Sequence, residues 1–488
     1  MIRPISAALI LIVCCFVGGL SAWPATPPYV YGPITGPVFL PAPVAGPGNL
    51  QAGKPGDIEL TLEGSVRMAI QGATAVLKSE YDNRTSGAQL LQAYGQFLPN
   101  LSSTGNYGYA SGLTYSTAGN PAYVTGSGTN AAYSISSALN LFNGLSDFSN
   151  LKSALLKKDA ANLTVYRAKQ QIRLDVTQSY LQAVLDHTLV NIADQNLRAS
   201  LERERLFTEQ TRVGVRSLSD LFRQQAQTST DELSLITQRN KLLTDQLLLL
   251  GKLRLESIKG YRFVEPQLLK EHDVPPLKEE KILIETALAR RVDLKAFGEL
   301  AIADHWDVRT AWGGYLPKLD LVAALSSSGH YLDSQTVNGG SAVPPTQNNI
   351  SYQLGDHLQY SIGLNLTWTI YDRFTTHQTL SRLQTVADDA DLDAQDRKIQ
   401  VESDVRKAYA DYVTAVQQLR VANRGLVAAQ KAYEVLAARY GVGGVSLLDL
   451  LTGQTVLVQA ESAHAQALVA FQLQETSLSF ATGELAVQ

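Results

Sequence analysis

The chain has 488 residues, enough for two or three ordinary domains or for one large internal repeat. Its composition, 45% hydrophobic and 18% charged, is that of a folded protein and excludes a disordered chain or a bundle of membrane-spanning helices. The formal net charge is −4, and no block of basic residues indicates a nucleic-acid partner.

Residues 1–22 are predicted to be a secretory signal peptide. Arg3 precedes a long apolar run that ends in small residues near Ser21, although a retained membrane anchor is an alternative. Cys14 and Cys15 are the only cysteines and lie inside this run; acylation of one would make a lipoprotein, but neither follows the usual small residue. The mature chain is therefore expected to be exported without disulfides and to be stabilised by packing.

Residues 23–56 are rich in Pro and Gly, which predicts an extended arm. The remainder divides into two similar halves, 57–270 and 271–488. The phrase AYGQFLPNL at 93–101 returns as AWGGYLPKL at 311–319, and VGVRSLSDL at 213–221 returns as VGGVSLLDL at 442–450. Because the whole order of features repeats, we interpret the chain as an internal duplication.

Each half contains a predicted pair of strands, at about 101–142 and about 319–371. Between Leu358 and Tyr371, for example, the even positions are all apolar or aromatic and most odd positions are polar or Gly. This period of two fits either a half-buried sheet on a soluble core or a transmembrane β-barrel with an apolar outer face. Four strands cannot close a barrel, and an open edge is unstable in lipid, so a barrel would need several copies of the chain.

A long proline-free stretch follows each strand pair, from Leu145 to Val213 and from Asp372 to Tyr440. From Val401 onward apolar residues recur at alternating spacings of four and three, as in a helix packed along a partner. Such a helix reaches roughly 100 Å. We predict two long helix hairpins with tips at about 213–220 and 442–449. A coiled-coil fibre would explain these helices but not the strands.

The repeated phrase is predicted to mark the change from helix to strand. Pro99 and Pro317 should end the helix, because Pro breaks a helix and extends the residue before it. Gly95 and Gly313 are expected to relax the backbone just upstream. The neighbouring aromatic rings are expected at the membrane–water boundary. They belong to Tyr94, Phe97, Trp312 and Tyr315.

Together these features resemble the outer-membrane efflux protein family, the TolC-like channels of Gram-negative bacteria, over about residues 57–486. The resemblance implies a mixed α and β membrane protein, a trimeric transmembrane β-barrel with four strands per chain continued by a long antiparallel α-helical barrel in the periplasm. It implies a passive exit channel for small toxic compounds and not an enzyme. The implied partners are two further copies in a homotrimer, outer-membrane lipid, a periplasmic adaptor protein and an inner-membrane pump. The channel of a protein secretion system and an exported coiled-coil structural protein remain alternatives.

In such channels the helix-to-helix turns form the periplasmic tip, where adaptors bind and the tunnel constricts. The residues that match are Val213, Gly214, Ser217 and Asp220 in the first turn and Tyr440, Val442, Gly443, Ser446 and Asp449 in the second. Arg216 is expected to replace a basic residue of the second turn, where Val445 stands, and Thr452 stands in place of a second Asp.

The residues of the turns also have a plain structural interpretation. The glycines fit a chain reversal, and Ser217 and Ser446 fit helix N-caps with Asp three residues later. Exposed apolar residues are expected to meet a partner's helices. They are Val215, Leu218, Leu447 and Leu448. No cofactor or metal is expected, because the seven His residues show no helical pair at metal-ligand spacing.

Overall fold

The computed structural model describes residues 58–116, 122–255, 261–264, 279–337, 342–343 and 349–486. The predicted signal peptide, with Cys14 and Cys15, and the predicted arm lie outside the described residues. The described chain repeats one pattern twice: two helices lead into strands, and two longer helices follow them.

The first copy contains β1 (Ile58–Leu60), α1 (Leu62–Gly72), α2 (Thr74–Gly95), β2 (Ser102–Ser116), β3 (Ala122–Phe142), α3 (Ser146–Arg212) and α4 (Leu218–Leu253). The second contains β4 (Tyr261–Phe263), α5 (Glu280–Arg290), α6 (Val292–Trp312), β5 (Lys318–Val337), β6 (Ala342–Val343), α7 (Ile350–Asp356), β7 (Gln359–Thr367), α8 (Thr375–Gly441) and α9 (Leu447–Ala481). α3 and α8 each have 67 residues, about 100 Å of helix.

The two copies match in element length as well as in order. α1 and α2 begin 218 residues before α5 and α6 (62 and 280, 74 and 292). α3 and α4 begin 229 residues before α8 and α9 (146 and 375, 218 and 447). The 11 extra residues of the second copy (229 minus 218) fall in the strand region, which there also contains α7.

The long strands form one antiparallel sheet in the order β2-β3-β5-β7, so the pairing of β3 with β5 joins the two copies. β7 ends at Thr367, whereas the alternation predicted a strand to about Tyr371. Pairing stops there because Thr367 lies opposite Lys318, the first residue of β5. Trp368 instead donates its indole N–H to the carbonyl of Tyr315 at 3.1 Å.

The short helix α7, which the sequence did not predict, covers the edge of β5 beyond Ser326, the residue opposite the start of β7 at Gln359. The side-chain amide of Gln353 accepts from the N–H of His330 at 2.9 Å and donates to its C=O at 2.8 Å. Nδ1 of His357 donates to the carbonyl of Ser328 at 3.0 Å. These side chains satisfy backbone groups that β7 does not reach.

The long helices carry the core. The apolar seam predicted from Val401 onward is confirmed, since Val401 and Val405 are fully buried and pack with Ala287 of α5. The first copy repeats the contact with Val176 and Ala69. In the part of the chain that the structure describes, no helix is both long enough and apolar enough to cross a membrane.

Candidate functional site

The two helix-to-helix turns share one backbone conformation. Gly214 has φ 77° and Gly443 has φ 76°, in the left-handed region that residues with a Cβ rarely adopt. Just after each glycine an N–H bonds back to the preceding helix, from Val215 to the carbonyl of Gln210 at 2.9 Å in the first turn. The glycines therefore make the reversal of the chain possible.

Ser217 and Ser446 are the N-caps of α4 and α9. Their hydroxyl oxygens accept from the N–H of Asp220 at 3.1 Å and of Asp449 at 3.2 Å. In the second turn the cap is reciprocal, because Oδ2 of Asp449 accepts from the N–H of Ser446 at 3.0 Å and from its hydroxyl at 2.7 Å. These hydrogen bonds from Ser446 lower the pKa of Asp449, which stabilises its ionised form.

Arg216 connects the first turn to the helix before the second. Its Nη1 donates to the hydroxyl of Tyr440 at 2.6 Å, and its Nε donates to Oε1 of Gln210 at 2.8 Å. The guanidinium lies over the ring of Phe207, 4.0 Å from the ring centre, and 3.8 Å from a carboxylate oxygen of Asp220. With 21% of its side chain exposed, Arg216 is a partly buried tie between the two turns of one chain.

An apolar cluster packs beneath this tie. It contains Phe207 of α3, Leu221 of α4 and Leu447 of α9, with Tyr440 of α8 against it. The prediction that Leu447 is exposed is wrong, because its side chain packs in this cluster and is only 6% exposed. Three of the predicted apolar residues do face outward: Val215, Leu218 and Leu448.

Pro99 lies between α2 and β2, and Pro317 lies between a 3-10 turn after α6 and β5. The expected role of Gly313 is wrong, because its φ of −60° is an ordinary helical value. Gly313 is instead required for space, since an added Cβ would lie 2.0 Å from the hydroxyl oxygen of Ser146. Gly95, at the equivalent position of the first copy, faces open space.

No group of three or more His, Cys, Asp or Glu side chains is placed to hold a metal ion within the described ranges. Residues 283–484, most of the second copy, match the model of the outer membrane efflux protein family. Outer membrane protein TolC of Escherichia coli (strain K12) is 21% identical over 422 residues, which cover 84% of this chain and 79% of TolC. The chain is a relative of the outer membrane efflux proteins. The resemblance inferred from the sequence is thereby confirmed.

Solved channels share the fold of this chain. CusC, a protein that forms a transmembrane channel, aligns with a TM-score of 0.70 at 15% identity over 86% of this chain and 92% of CusC. The CmeC outer membrane channel of Campylobacter jejuni aligns with a TM-score of 0.69 at 18% identity over 86% of this chain and 85% of CmeC. The chain is an outer-membrane protein that extends into the periplasm, and its relatives are channels, not enzymes.

The link between the two turns of this chain was only partly visible in the sequence. Val445 occupies the position where a basic residue was expected, and Arg216 was identified as its replacement. The partner of Arg216 was not identified, because Tyr440 lies 224 residues away along the chain. The sequence signal that could have indicated this contact is an arginine in one turn and a tyrosine beside the other.

Proposed function

We propose that this protein is the outer-membrane exit channel of a tripartite efflux system. It is a passive conduit for small toxic compounds that an inner-membrane pump expels through a periplasmic adaptor protein. The observation that carries the proposal is continuity: in each copy the strands lead directly into a helix about 100 Å long. A chain built in this way reaches from a membrane to distant partners.

The two faces of the sheet suit a barrel with lipid outside and water inside. Large side chains on one face stand free of the chain, with Tyr107 78% and Leu364 66% exposed. On the opposite face small polar groups bond across strands, as between the hydroxyls of Thr104 and Ser134 at 2.7 Å. This apolar outer and polar inner arrangement is typical of membrane barrels.

We infer a homotrimer from the open edges of the chain. β2 and β7 lie at the two edges of the four long strands, and among the described residues neither pairs on its outer side. Unpaired N–H and C=O groups are not tolerated in lipid, so neighbouring copies must complete the barrel. The helices form a row with two edges as well. Within one chain α3 and α8 both pack on α6, and α2 and α4 pack on α3. In the row α2-α3-α6-α8 the helices α2 and α8 therefore lie at the edges, as β2 and β7 do in the sheet.

We assign adaptor docking and gating to the two tips. The residues of this assignment are Val213, Gly214, Arg216, Ser217 and Asp220 in the first turn and Tyr440, Val442, Gly443, Ser446 and Asp449 in the second. The exposed apolar side chains beside them suit the helices of an adaptor. Breaking the bond between Arg216 and Tyr440 lets the two turns separate and the mouth widen. Asp449, repeated by symmetry, places three carboxylates there, which attract cations.

Export from cells that lack their own outer-membrane channel tests the proposal. Co-expression with the cognate pump and adaptor should restore efflux of a fluorescent dye, and Gly443→Trp should abolish efflux with an unchanged yield of assembled protein. Gly251→Trp controls for the added bulk away from the tip, since an added Cβ meets nothing within 4 Å at either glycine and Gly251 lies in the last turns of α4. Gly443→Ala controls for the strain of a Cβ at the left-handed φ and should keep efflux. Release of a secreted protein without dye efflux would indicate the secretion channel instead, and release of neither would contradict both.

A further inference from the structure

Within one chain the two copies meet where α3 begins beside the end of α6. The hydroxyl of Ser146 donates to the carbonyl of Thr310 at 2.8 Å, and Gly313 leaves the space that this contact needs. The rings of Phe148 and Trp306 meet edge to face with their centres 6.1 Å apart. We call this contact between α3 and α6 the junction joint.

The junction joint continues along both helices at intervals of seven residues. The helices run in opposite directions, since Ser146 contacts Thr310 at one end and Arg167 lies 3.8 Å from Asp293 further along. Equal steps from Ser146 and Thr310 therefore reach the same level on the two helices. Steps of 7 and 14 give Ser153 opposite Ala303 and Ala160 opposite Ala296, all between 0% and 4% exposed.

The internal repeat supplies a second version of each side of this joint. The α3 side maps onto α8 at the offset of 229, giving Thr375, Arg382 and Asp389. The α6 side maps onto α2 at the offset of 218, giving Gln92, Thr85 and Lys78. All six of these residues are exposed, whereas their counterparts in the junction joint are buried or half-buried.

We propose that these two exposed stripes are the halves of a joint between chains. The start of α8 in one copy docks on α2 of the next, in the register that α3 and α6 show within the chain. The inference rests on the proposed homotrimer and adds which residues meet. Thr375 takes the place of Ser146. Its hydroxyl donates to the carbonyl of Asp372 at 2.7 Å within one chain, and in the assembly it turns to donate to the carbonyl of Gln92 in the next copy.

The backbone before α8 supports this register. Arg373 and Phe374 have φ of 57° and 64°, close to the 69° and 64° of Gly144 and Leu145 before α3. The two turns therefore have the same shape, and the turn before α3 already fits against Gly313. Gly95, the counterpart of Gly313, has nothing within 4 Å of an added Cβ and offers the same space to a neighbouring copy.

The stripes are also complementary in charge. Where the junction joint buries Ala160 against Ala296, the open stripes place the carboxylate of Asp389 level with the ammonium of Lys78. Opposite charges at one level favour this pairing and disfavour a shift along the helix, which would separate them. A second copy of the chain is therefore the occupant that both stripes fit.

Cysteine cross-linking tests the register, because the only natural cysteines lie in the predicted signal peptide. A chain carrying Gln92→Cys with Thr375→Cys should, on mild oxidation, form disulfides between copies and run as three linked chains on a non-reducing gel. The matched control, Gln92→Cys with Arg382→Cys, moves one thiol about 10 Å along α8 and should not cross-link. Ser146→Cys with Thr310→Cys should form a disulfide within one chain.

Charge exchange gives an independent reading that needs no oxidation. Lys78→Asp alone and Asp389→Lys alone should each increase dissociation of the detergent-extracted assembly. The two substitutions together should restore the stability of the assembly. Equal cross-linking of the matched and shifted pairs, or no rescue by the double exchange, would overturn the register. A native mass of three chains with no cross-link between positions 92 and 375 overturns this inference alone, whereas a native mass of one chain overturns the proposed homotrimer.

Discussion

Removal of the Arg216 side chain should loosen the tip by an amount that the structure lets us work out. Arg216→Ala removes hydrogen bonds to Tyr440 and Gln210 and the contact with the Phe207 ring. A hydrogen bond from a charged donor contributes about 1.5–3 kcal/mol when buried, and a cation–π contact about 0.5–1 kcal/mol at an exposed site. Only the contacts with Tyr440 join the two turns, because Gln210 and Phe207 lie in α3, on the same side as Arg216. Since Arg216 is partly exposed, we expect about 1.4 kcal/mol, or about tenfold in the equilibrium between joined and separated turns.

The open probability of single channels in planar bilayers measures this equilibrium. Tyr440→Phe is the matched variant, since it removes the hydroxyl but keeps the ring that packs on the apolar cluster. Loss of that one hydrogen bond should contribute about 1 kcal/mol, or about fivefold. Arg216→Ala combined with Tyr440→Phe should open the channel less than the product of the single effects, because both remove the same bond. Multiplicative effects, or an unchanged open probability in assembled Arg216→Ala channels, would refute the tie.

Gly443→Ala should destabilise its turn by about 1–2 kcal/mol, seen as faster cleavage there in limited proteolysis, since the left-handed φ disfavours a Cβ even where space is open. The pKa of Asp245 is raised to about 6, mainly by its hydrogen bond to buried Asp186 and then by burial. The stability that this pair contributes is therefore present below about pH 4, the usual Asp value, and is lost as the pH rises through about 6. Asp245→Asn should remove that pH dependence in denaturant titrations between pH 4 and 7. Leu364→Arg should hinder membrane insertion by about 2–4 kcal/mol if the site lies near the bilayer midplane, whereas Asn365→Arg on the opposite face should insert normally and alter conductance.

Features that depend on local pattern could be predicted from the sequence. The alternation of side chains predicted the strands, the absence of Pro predicted the long helices, and the repeated Val-Gly and Ser-x-x-Asp residues predicted the turns. The cap of Ser446 by Asp449 follows from three residues of sequence separation. Local patterns of this kind need no knowledge of what packs against the segment.

Features that depend on distant contacts could not be predicted. Gly313 was identified, but its role is set by Ser146, whose hydroxyl bonds to Thr310, 164 residues away along the chain. Leu447 is buried because helices of both copies meet around it, which the pattern of its own helix does not show. The same holds for α7, since Gln353 is positioned by the backbone edge of His330 in β5.

The measurement that tests the central claim most directly is an electron cryomicroscopy map of the protein extracted from outer membranes. The proposal predicts three copies around one axis, with a lumen continuous from the strands through the helices, about 100 Å long by helix length, to the two turns of each chain. A single copy, or a rod of helices packed solid along its axis, would contradict the claim that this chain forms an exit channel.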